Sequence, residues 1–132
     1  MLLMWSGTRL SDTVRDLYRV EMAAAHAAPA GAVKWRHLER AHILSQPDPW
    51  LHTGNHVAMF VLAVRERNRG EALGQVVRIV LAAPGSLTGR YPEGNTGRAS
   101  VGLRRRMPIP DDLRAAITGT DELTEHLEGT HG

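Results

Sequence analysis

Apolar residues recur three and four positions apart along four consecutive segments of the chain, and a proline or glycine corner follows each segment. This spacing is typical of amphipathic α-helices. The first segment begins after a candidate capping residue, Ser11 or Asp12, and ends before Pro29. The fourth contains a valine-rich run that would also suit a strand, but its helical flanks favour a helix. The pattern predicts helices over residues 12–28, 32–45, 49–68 and 71–83.

Short corners between consecutive helices predict two helical hairpins. In the second hairpin, Ala72, Val76 and Ile79 stand at the spacing of the second helix of a tetratricopeptide repeat. The first hairpin matches this pattern only in part, at Leu38 and Ala41. Two repeats are fewer than the ~3 that a stable solenoid needs, so we expect a compact bundle rather than an open superhelix.

Glycine, proline and arginine dominate the stretch that follows the hairpins, and residues 84–110 are predicted to form a long loop. A short helix over 111–117 follows, and residues 119–132 are expected to be a flexible tail. The fold prediction is therefore all-α, with two tetratricopeptide-like hairpins packed as a small bundle. The loop and the short C-terminal helix close this bundle, and residues 1–132 form a single helical domain.

Composition and charge narrow the classes of function. The 132 residues contain no cysteine, which excludes disulfides, thiolate zinc sites and a cysteine nucleophile. The formal net charge is only +2, and the arginine run at 104–106 has no recognition helix or interleaved aromatics, so nucleic-acid binding is not expected. No segment approaches the ~20 apolar residues of a membrane span. We therefore expect a cytoplasmic protein that does not bind membranes.

Four of the seven histidines lie around the corner between the second and third predicted helices. His52 and His56 are four residues apart, which places both on one face of the third helix. Two imidazoles one turn apart are a common way to present nitrogen ligands to a metal. Glu39 and His42 are three apart on the preceding helix, and the short corner makes the two helices neighbours. The candidate metal ligands are Glu39, His42, His52 and His56.

A histidine-rich site with a carboxylate and no sulfur suits a divalent transition metal: zinc, nickel, copper or iron. A structural interpretation remains open, because histidines near a helix corner also bond to exposed carbonyl groups. In that case Glu39 would form an ordinary ion pair with Arg36 or Arg40.

The segment 94–98 contains two glycines, a hydroxyl group and a fixed cation, which are the components of an anion site. The candidate ligand-binding residues are Arg90, Asn95, Thr96 and Arg98, since two arginines can hold a phosphate or carboxylate in bidentate fashion. The alternative is a tight turn that docks the C-terminal segment onto the hairpins. Arg98 would then pair with a buried carboxylate.

Several longer motifs occur together in this chain: HLERAHILSQP at 37–47 followed by PW at 49–50, APGS at 83–86, GNTGR at 94–98 and MPIP at 107–110. With this combination the chain resembles the bacterial family called domain of unknown function 3703, over about Val14 to Leu113. The resemblance implies a small bacterial cytoplasmic protein without an established activity. The chain departs from the family pattern at 102–105.

Three functional classes follow from these features. The favoured one is a small metal-binding protein with a histidine-rich site between helices, which would serve metal handling and have a metal ion as its partner. A tetratricopeptide-like interaction module with structural histidines is the alternative, and its partner would be another protein or a second copy in a homodimer. A small metal-dependent enzyme acting on an anionic substrate is the third class.

Overall fold

A computed structural model of the chain describes residues 10–88, 92–102 and 105–128. These residues form five α-helices and no β-strand, which confirms the all-α prediction. The helices are α1 (Asp12–Ala27), α2 (Ala32–Ser45), α3 (Pro49–Arg65), α4 (Arg69–Thr88) and α5 (Asp111–Glu128).

Local capping determines where the first and third helices begin. The hydroxyl of Ser11 accepts a hydrogen bond from the amide of Val14 at 3.2 Å. At α3, the carboxylate of Asp48 accepts from the amides of Trp50 and Leu51 at 2.9 and 3.0 Å, and Pro49 occupies the first helical position. Both arrangements satisfy amide groups that a helix start leaves without partners. The start of α3 matters most, because it orients the residues of the following turns.

The predicted end of the fourth helix at residue 83 is wrong, because α4 continues through Pro84 to Thr88. A proline inside a helix removes one hydrogen-bond donor and is unfavourable on its own. Here the turn beyond the proline is bonded to the rest of the protein, since the hydroxyl of Ser86 donates to the carbonyl of Gln46 at 2.5 Å. Tertiary bonds therefore override the local stop signal, and the predicted loop 84–110 begins only after Thr88.

The last helix is also longer than predicted, since α5 runs to Glu128 instead of ending near residue 117. The predicted break at Gly119 is wrong, because this glycine lies inside the helix. A helical glycine costs roughly 0.5–1 kcal/mol relative to alanine but does not prevent helical geometry. Most of the predicted flexible tail is therefore helical, and residues 129–132 lie outside the described part.

Helix α2 lies at the centre of the packing. It runs antiparallel to both α1 and α3, and α4 in turn packs antiparallel on α3, so the described helices include two hairpins. Two clusters of buried side chains form the core, and α2 contributes to both. The first joins α1, α2 and α5 and contains Val14, Tyr18, Ala41, Ile43, Leu44 and Leu113. The second joins α1, α2 and α3 and contains Ala25, Trp35, Leu38, Met59, Leu62 and Ala63.

Helix α4 has an unusual distribution of side chains. Its inward side carries four buried polar residues, whereas six of its aliphatic side chains are 46–69% exposed. The buried polar residues are Glu71, Gln75, Arg78 and Ser86, and the exposed aliphatic residues are Leu73, Val76, Val77, Val80, Leu81 and Leu87. Despite this apolar surface, none of the described helices combines the length and hydropathy that crossing a membrane requires.

Leu44 is 1% exposed and lies in the first core cluster, so its truncation tests the packing. We expect Leu44→Ala to lower the free energy of unfolding by about 2–5 kcal/mol, since the change leaves a cavity. Val33→Ala removes an aliphatic side chain that is 57% exposed on α2 and serves as the control. Urea unfolding followed by circular dichroism measures both. Equal losses in the two variants would contradict this packing.

Candidate metal centre

Three histidines meet where α2 ends and α3 begins. His42 lies in the last turn of α2, and His52 and His56 lie one turn apart in α3, with only residues 46–48 between the helices. All three are buried, with 2–6% of their surface exposed. Their Nε2 atoms form a nearly equilateral triangle with sides of 3.0, 3.1 and 3.1 Å. Three imidazole nitrogens therefore converge on one point in the interior.

The outer nitrogen of His42 faces a group that can only accept a hydrogen bond. Its Nδ1 lies 2.5 Å from the carbonyl oxygen of Asn95, so Nδ1 carries the hydrogen and donates. The side chain of Asn95 is itself held, because its amide nitrogen donates to the carbonyls of Gly102 and Arg105 at 3.0 and 2.7 Å. These bonds attach the segment after α4 to the end of α2 and determine the protonation pattern of His42.

Gly97 allows this segment to approach the His42 ring. Its φ of +81° lies in the left-handed region, and a Cβ atom there would stand 2.6 Å from Cδ2 of His42. A larger residue would meet both backbone strain and a clash with the imidazole. Glycine at 97 is therefore part of the geometry that positions His42.

The outer nitrogen of His56 faces the side-chain oxygen of Gln75 at 2.7 Å. The nitrogen of the same amide donates to the carboxylate of Glu71 at 3.0 Å and to the carbonyl of Gly97 at 2.8 Å. Both partners are acceptors, which determines the orientation of the Gln75 amide and leaves its oxygen toward the imidazole. Nδ1 of His56 therefore carries the hydrogen and donates it to Gln75.

The outer nitrogen of His52 faces the hydroxyl of Ser86 at 2.8 Å. That hydroxyl donates its single hydrogen to the carbonyl of Gln46, so it accepts from the imidazole. Nδ1 of His52 carries a hydrogen as well. Each histidine thus donates outward to a different acceptor, as metal-bound histidines do.

These outer hydrogen bonds determine which groups face the centre of the triangle. A neutral imidazole carries one hydrogen, and in all three rings that hydrogen is on Nδ1, so the three Nε2 atoms present lone pairs to one another. Burial lowers the pKa of His52 to about 3 and that of His56 to about 4, and it lowers the pKa of His42 well below its usual value. The rings are therefore neutral near pH 7, which is the form that binds a metal.

The triangle has the dimensions of a metal-binding face. Its centre is about 1.8 Å from each nitrogen, so an ion at the ~2.0–2.1 Å of zinc–imidazole bonds would lie about 1 Å to one side of the nitrogen plane. Among the described residues, these three histidines form a group that could hold a metal ion. Three ligands on one side of an ion leave further coordination positions open on the other.

A cavity of about 460 Å³ adjoins the histidines. The side chain of Arg78 also lines it, and much of the remaining wall is apolar, including Leu81, Ala82 and Pro84. A metal ion on the triangle would therefore have room beside it for a further ligand, which is the arrangement of reactive rather than purely structural metal sites.

Glu39, the fourth residue proposed from the sequence, does not join the histidines. Its carboxylate lies 3.5 Å from the guanidinium of Arg98, and the group of converging ligand atoms contains the three histidines without Glu39. Burial raises the pKa of Glu39, and the nearby charge of Arg98 opposes this shift. The three-residue spacing from His42 therefore does not bring the carboxylate to the same point.

The residues proposed as an anion-binding loop are used for other contacts. Arg98 stacks on the ring of Trp35 at 3.8 Å and donates to the buried carboxylate of Glu71 at 3.0 Å. Asn95 is buried and holds the loop, and Thr96 is half-buried in the same segment. Arg90 lies outside the described residues. Arg98 is thus paired with buried carboxylate, which is the arrangement expected for a docked turn.

The residues of α4 that support the histidines were not predicted from the sequence. Gln75 and Ser86 bond to the outer nitrogens, and Glu71 and Arg78 lie on the same inward side of α4. Their spacing of three, four and eight residues was the available signal, because it forms a polar stripe at helical period in a valine-rich segment.

The buried neutral histidines predict that acid destabilises the metal-free protein. Histidine has a pKa near 6.5 in the unfolded chain, so below this pH the unfolded state binds more protons, and stability falls as the pH is lowered. We expect a loss of roughly 1–2 kcal/mol for His52 between pH 7.5 and 5, measured by urea unfolding in the presence of a chelator. His52→Gln carries no titrating ring and should lose less over the same range. An equal loss in both proteins would contradict the buried neutral state.

No curated protein and no solved structure matches this chain significantly. A family model described as Protein of unknown function (DUF3703) matches residues 12–117, which is most of the chain. The matched region includes the three histidines and the partners of their outer nitrogens. The resemblance inferred from the sequence motifs is confirmed, and the chain belongs to this family of proteins of unknown function.

Proposed function

We propose that this protein binds one divalent transition-metal ion through the Nε2 atoms of His42, His52 and His56. The observation that carries the proposal is that each outer nitrogen faces an acceptor while the three Nε2 atoms lie 3.0–3.1 Å apart. Since the outer nitrogens donate to those acceptors, the three inner lone pairs face one another. Such an arrangement is repulsive without a positive charge among the nitrogens. A cation at the centre turns this repulsion into coordination.

The structural interpretation of the histidines accounts for less of the geometry. A histidine retained only for packing or capping would use its outer nitrogen in this way and place its inner nitrogen next to a donor or an apolar surface. Here the described neighbours of each inner nitrogen are two other imidazoles without a hydrogen to share. A single structural role does not explain why three rings adopt the same protonation pattern around one point.

The donor set favours zinc, nickel, copper or iron in the divalent state, because imidazole suits all four ions. Glu39 is not part of the proposed ligand set, so the open positions would be filled by water or by a ligand in the cavity. This leaves metal handling as the first candidate role. The second candidate role is metal-dependent chemistry on a small molecule. The adjoining cavity favours it, because a protein that only holds an ion needs no space for a further ligand beside that ion.

Elemental analysis of tag-free protein purified without chelator tests the proposal. We expect about one metal ion per chain, and a His52→Ala/His56→Ala double variant should lose the ion and bind added zinc, nickel or copper at least ~100-fold more weakly. Loss of two of three ligands leaves no chelating site. His26→Ala changes an exposed histidine on α1 and is the matched control, which should keep the ion.

Circular dichroism of the double variant shows whether the helices are retained. Metal-free wild-type protein that binds none of the added ions more tightly than the double variant would overturn the proposal.

A further inference from the structure

We infer that the metal centre takes a small organic carboxylate as a second ligand, held between the open side of the ion and the guanidinium of Arg78. This inference rests on the proposed metal site but adds a ligand class and a residue to it. The position of Arg78, the lack of a paired carboxylate among the described residues and the shape of the cavity support it.

Arg78 is held rigidly in the wall of the cavity that the histidines line. It lies three residues after Gln75 on the inward side of α4 and is 8% exposed. Its two terminal nitrogens donate to carbonyl groups, one to Gly74 at 3.1 Å and the other to Val101 at 2.6 Å. These bonds fix the guanidinium without neutralising it, since carbonyl groups carry no net charge.

The charge of Arg78 has no paired carboxylate within 4 Å among the described residues. The carboxylate of Glu71, on the same helix face, is engaged by Arg98, by the amide of Ala99 and by Gln75. A buried cation without a directly paired carboxylate is unfavourable. Burial lowers the pKa of Arg78, and the charge of Glu71 opposes this shift only in part. An anionic ligand would supply the missing charge.

The metal ion would increase this need for an anion. Three neutral imidazoles leave a divalent ion with its full charge, and Arg78 adds a further positive charge on the same cavity. A carboxylate satisfies both groups, because one oxygen can bind the ion while the other accepts from the planar guanidinium.

The remaining walls favour an organic anion over an inorganic one. Leu81, Ala82, Pro84 and Pro92 line the cavity, and its volume of about 460 Å³ accommodates a ligand with an apolar body. A phosphate or bicarbonate ion would satisfy the charges but leave this apolar surface in contact with water. We therefore assign the site to a short-chain carboxylate.

Cobalt-loaded protein provides the test, because the visible spectrum of Co²⁺ reports directly on its ligands. We expect butyrate to change the spectrum at millimolar concentration, and acetate, phosphate and bicarbonate to require higher concentrations. Arg78→Gln should weaken butyrate at least ~10-fold while Co²⁺ still binds, since one charged partner of the anion is lost. Arg78→Lys keeps the charge but not the planar guanidinium, so its butyrate affinity should lie between those of the wild-type protein and Arg78→Gln. Arg114→Gln, an exposed arginine on α5, is the control.

The outcomes separate this inference from the metal proposal. If Co²⁺ binds at the histidines but no anion up to ~100 mM alters its spectrum, the carboxylate site is overturned and the metal site stands. Equal butyrate affinity in wild-type protein and in both Arg78 variants would also overturn it, as would tighter binding of phosphate or bicarbonate than of butyrate. Failure of Co²⁺ and the other ions to bind would overturn both proposals.

The outward side of the hairpin formed by α3 and α4, here called the outer face, consists of eight aliphatic side chains that are 41–69% exposed. They are Val57, Val61, Val64, Leu73, Val76, Val77, Val80 and Leu87. We infer that this face forms a two-fold interface with a second copy of the chain.

The extent of the outer face supports this assignment. Eight side chains at this exposure present on the order of 700 Å² of apolar surface, which is close to the ~800 Å² that each partner buries in an interface of standard size. Exposed apolar patches on monomeric proteins are usually limited to a few hundred Å².

The charge pattern favours a copy of this chain as the partner. No charged residue occurs in α3 from Pro49 to Val64, and Arg78, the charged residue of α4 beyond Leu73, is buried. Two such faces can therefore meet along this length without burying a charge. The exposed charged residues of the hairpin, Arg65, Glu66, Arg67 and Arg69, lie at its turn. Two antiparallel hairpins packed in this way would form a four-helix bundle across the two-fold axis.

Light scattering over ~1–100 µM tests the dimer. We expect a mass of twice the 14.5 kDa of one chain, and Val77→Asp/Val80→Asp should give a helical monomer because it buries charge at the interface. Val20→Asp/Val33→Asp places the same charges at exposed sites on α1 and α2 and should leave the dimer intact. A wild-type monomer at 100 µM would overturn the inference, and so would binding to lipid vesicles through these residues in place of self-association.

Discussion

The constraint around which this structure is organised is the convergence of three buried imidazole Nε2 atoms on one point. Each ring is held there by a bond on its outer side, and the acceptors come from three separate places: the segment after α4, the middle of α4 and its last turn. An ion at the centre would therefore connect α2 and α3 directly and hold α4 and the following segment through the outer bonds. Metal binding and the stability of this part of the fold are expected to be coupled.

Helix α4 relates this interior to the surface. Because its inward side provides polar partners for the histidines, most of its large aliphatic side chains are exposed, where they contribute little to the core of the same chain. The same helix thus supports a polar site on one side and presents an apolar surface on the other. The two features have one origin: when the polar residues of this helix face inward, the aliphatic residues that remain must face the solvent.

Two arginines near the site have different electrostatic environments. Arg98 is stacked on Trp35 and paired with Glu71 and Glu39, so its charge is compensated within the protein. Arg78 is bonded to carbonyl groups and faces the cavity. An anion would therefore be expected beside Arg78, even though the glycine-rich sequence around Arg98 has the composition of an anion site.

The sequence determined what depends on neighbouring residues along one helix. Capping residues and apolar spacing predicted the helical class, the four-residue spacing placed His52 and His56 on one face, and the short corner made His42 a candidate to meet them. The tertiary structure decided which other groups reach that point. Gln75 and Ser86 come from segments 19 and 34 residues away from their histidines, and Arg78 joins them through the packing of α4. Glu39 was placed with the histidines by spacing alone, but the pairing of its carboxylate with Arg98 depends on a segment about 60 residues further along. Helical period fixes positions within an element, whereas the direction in which each face is buried depends on the elements that pack against it.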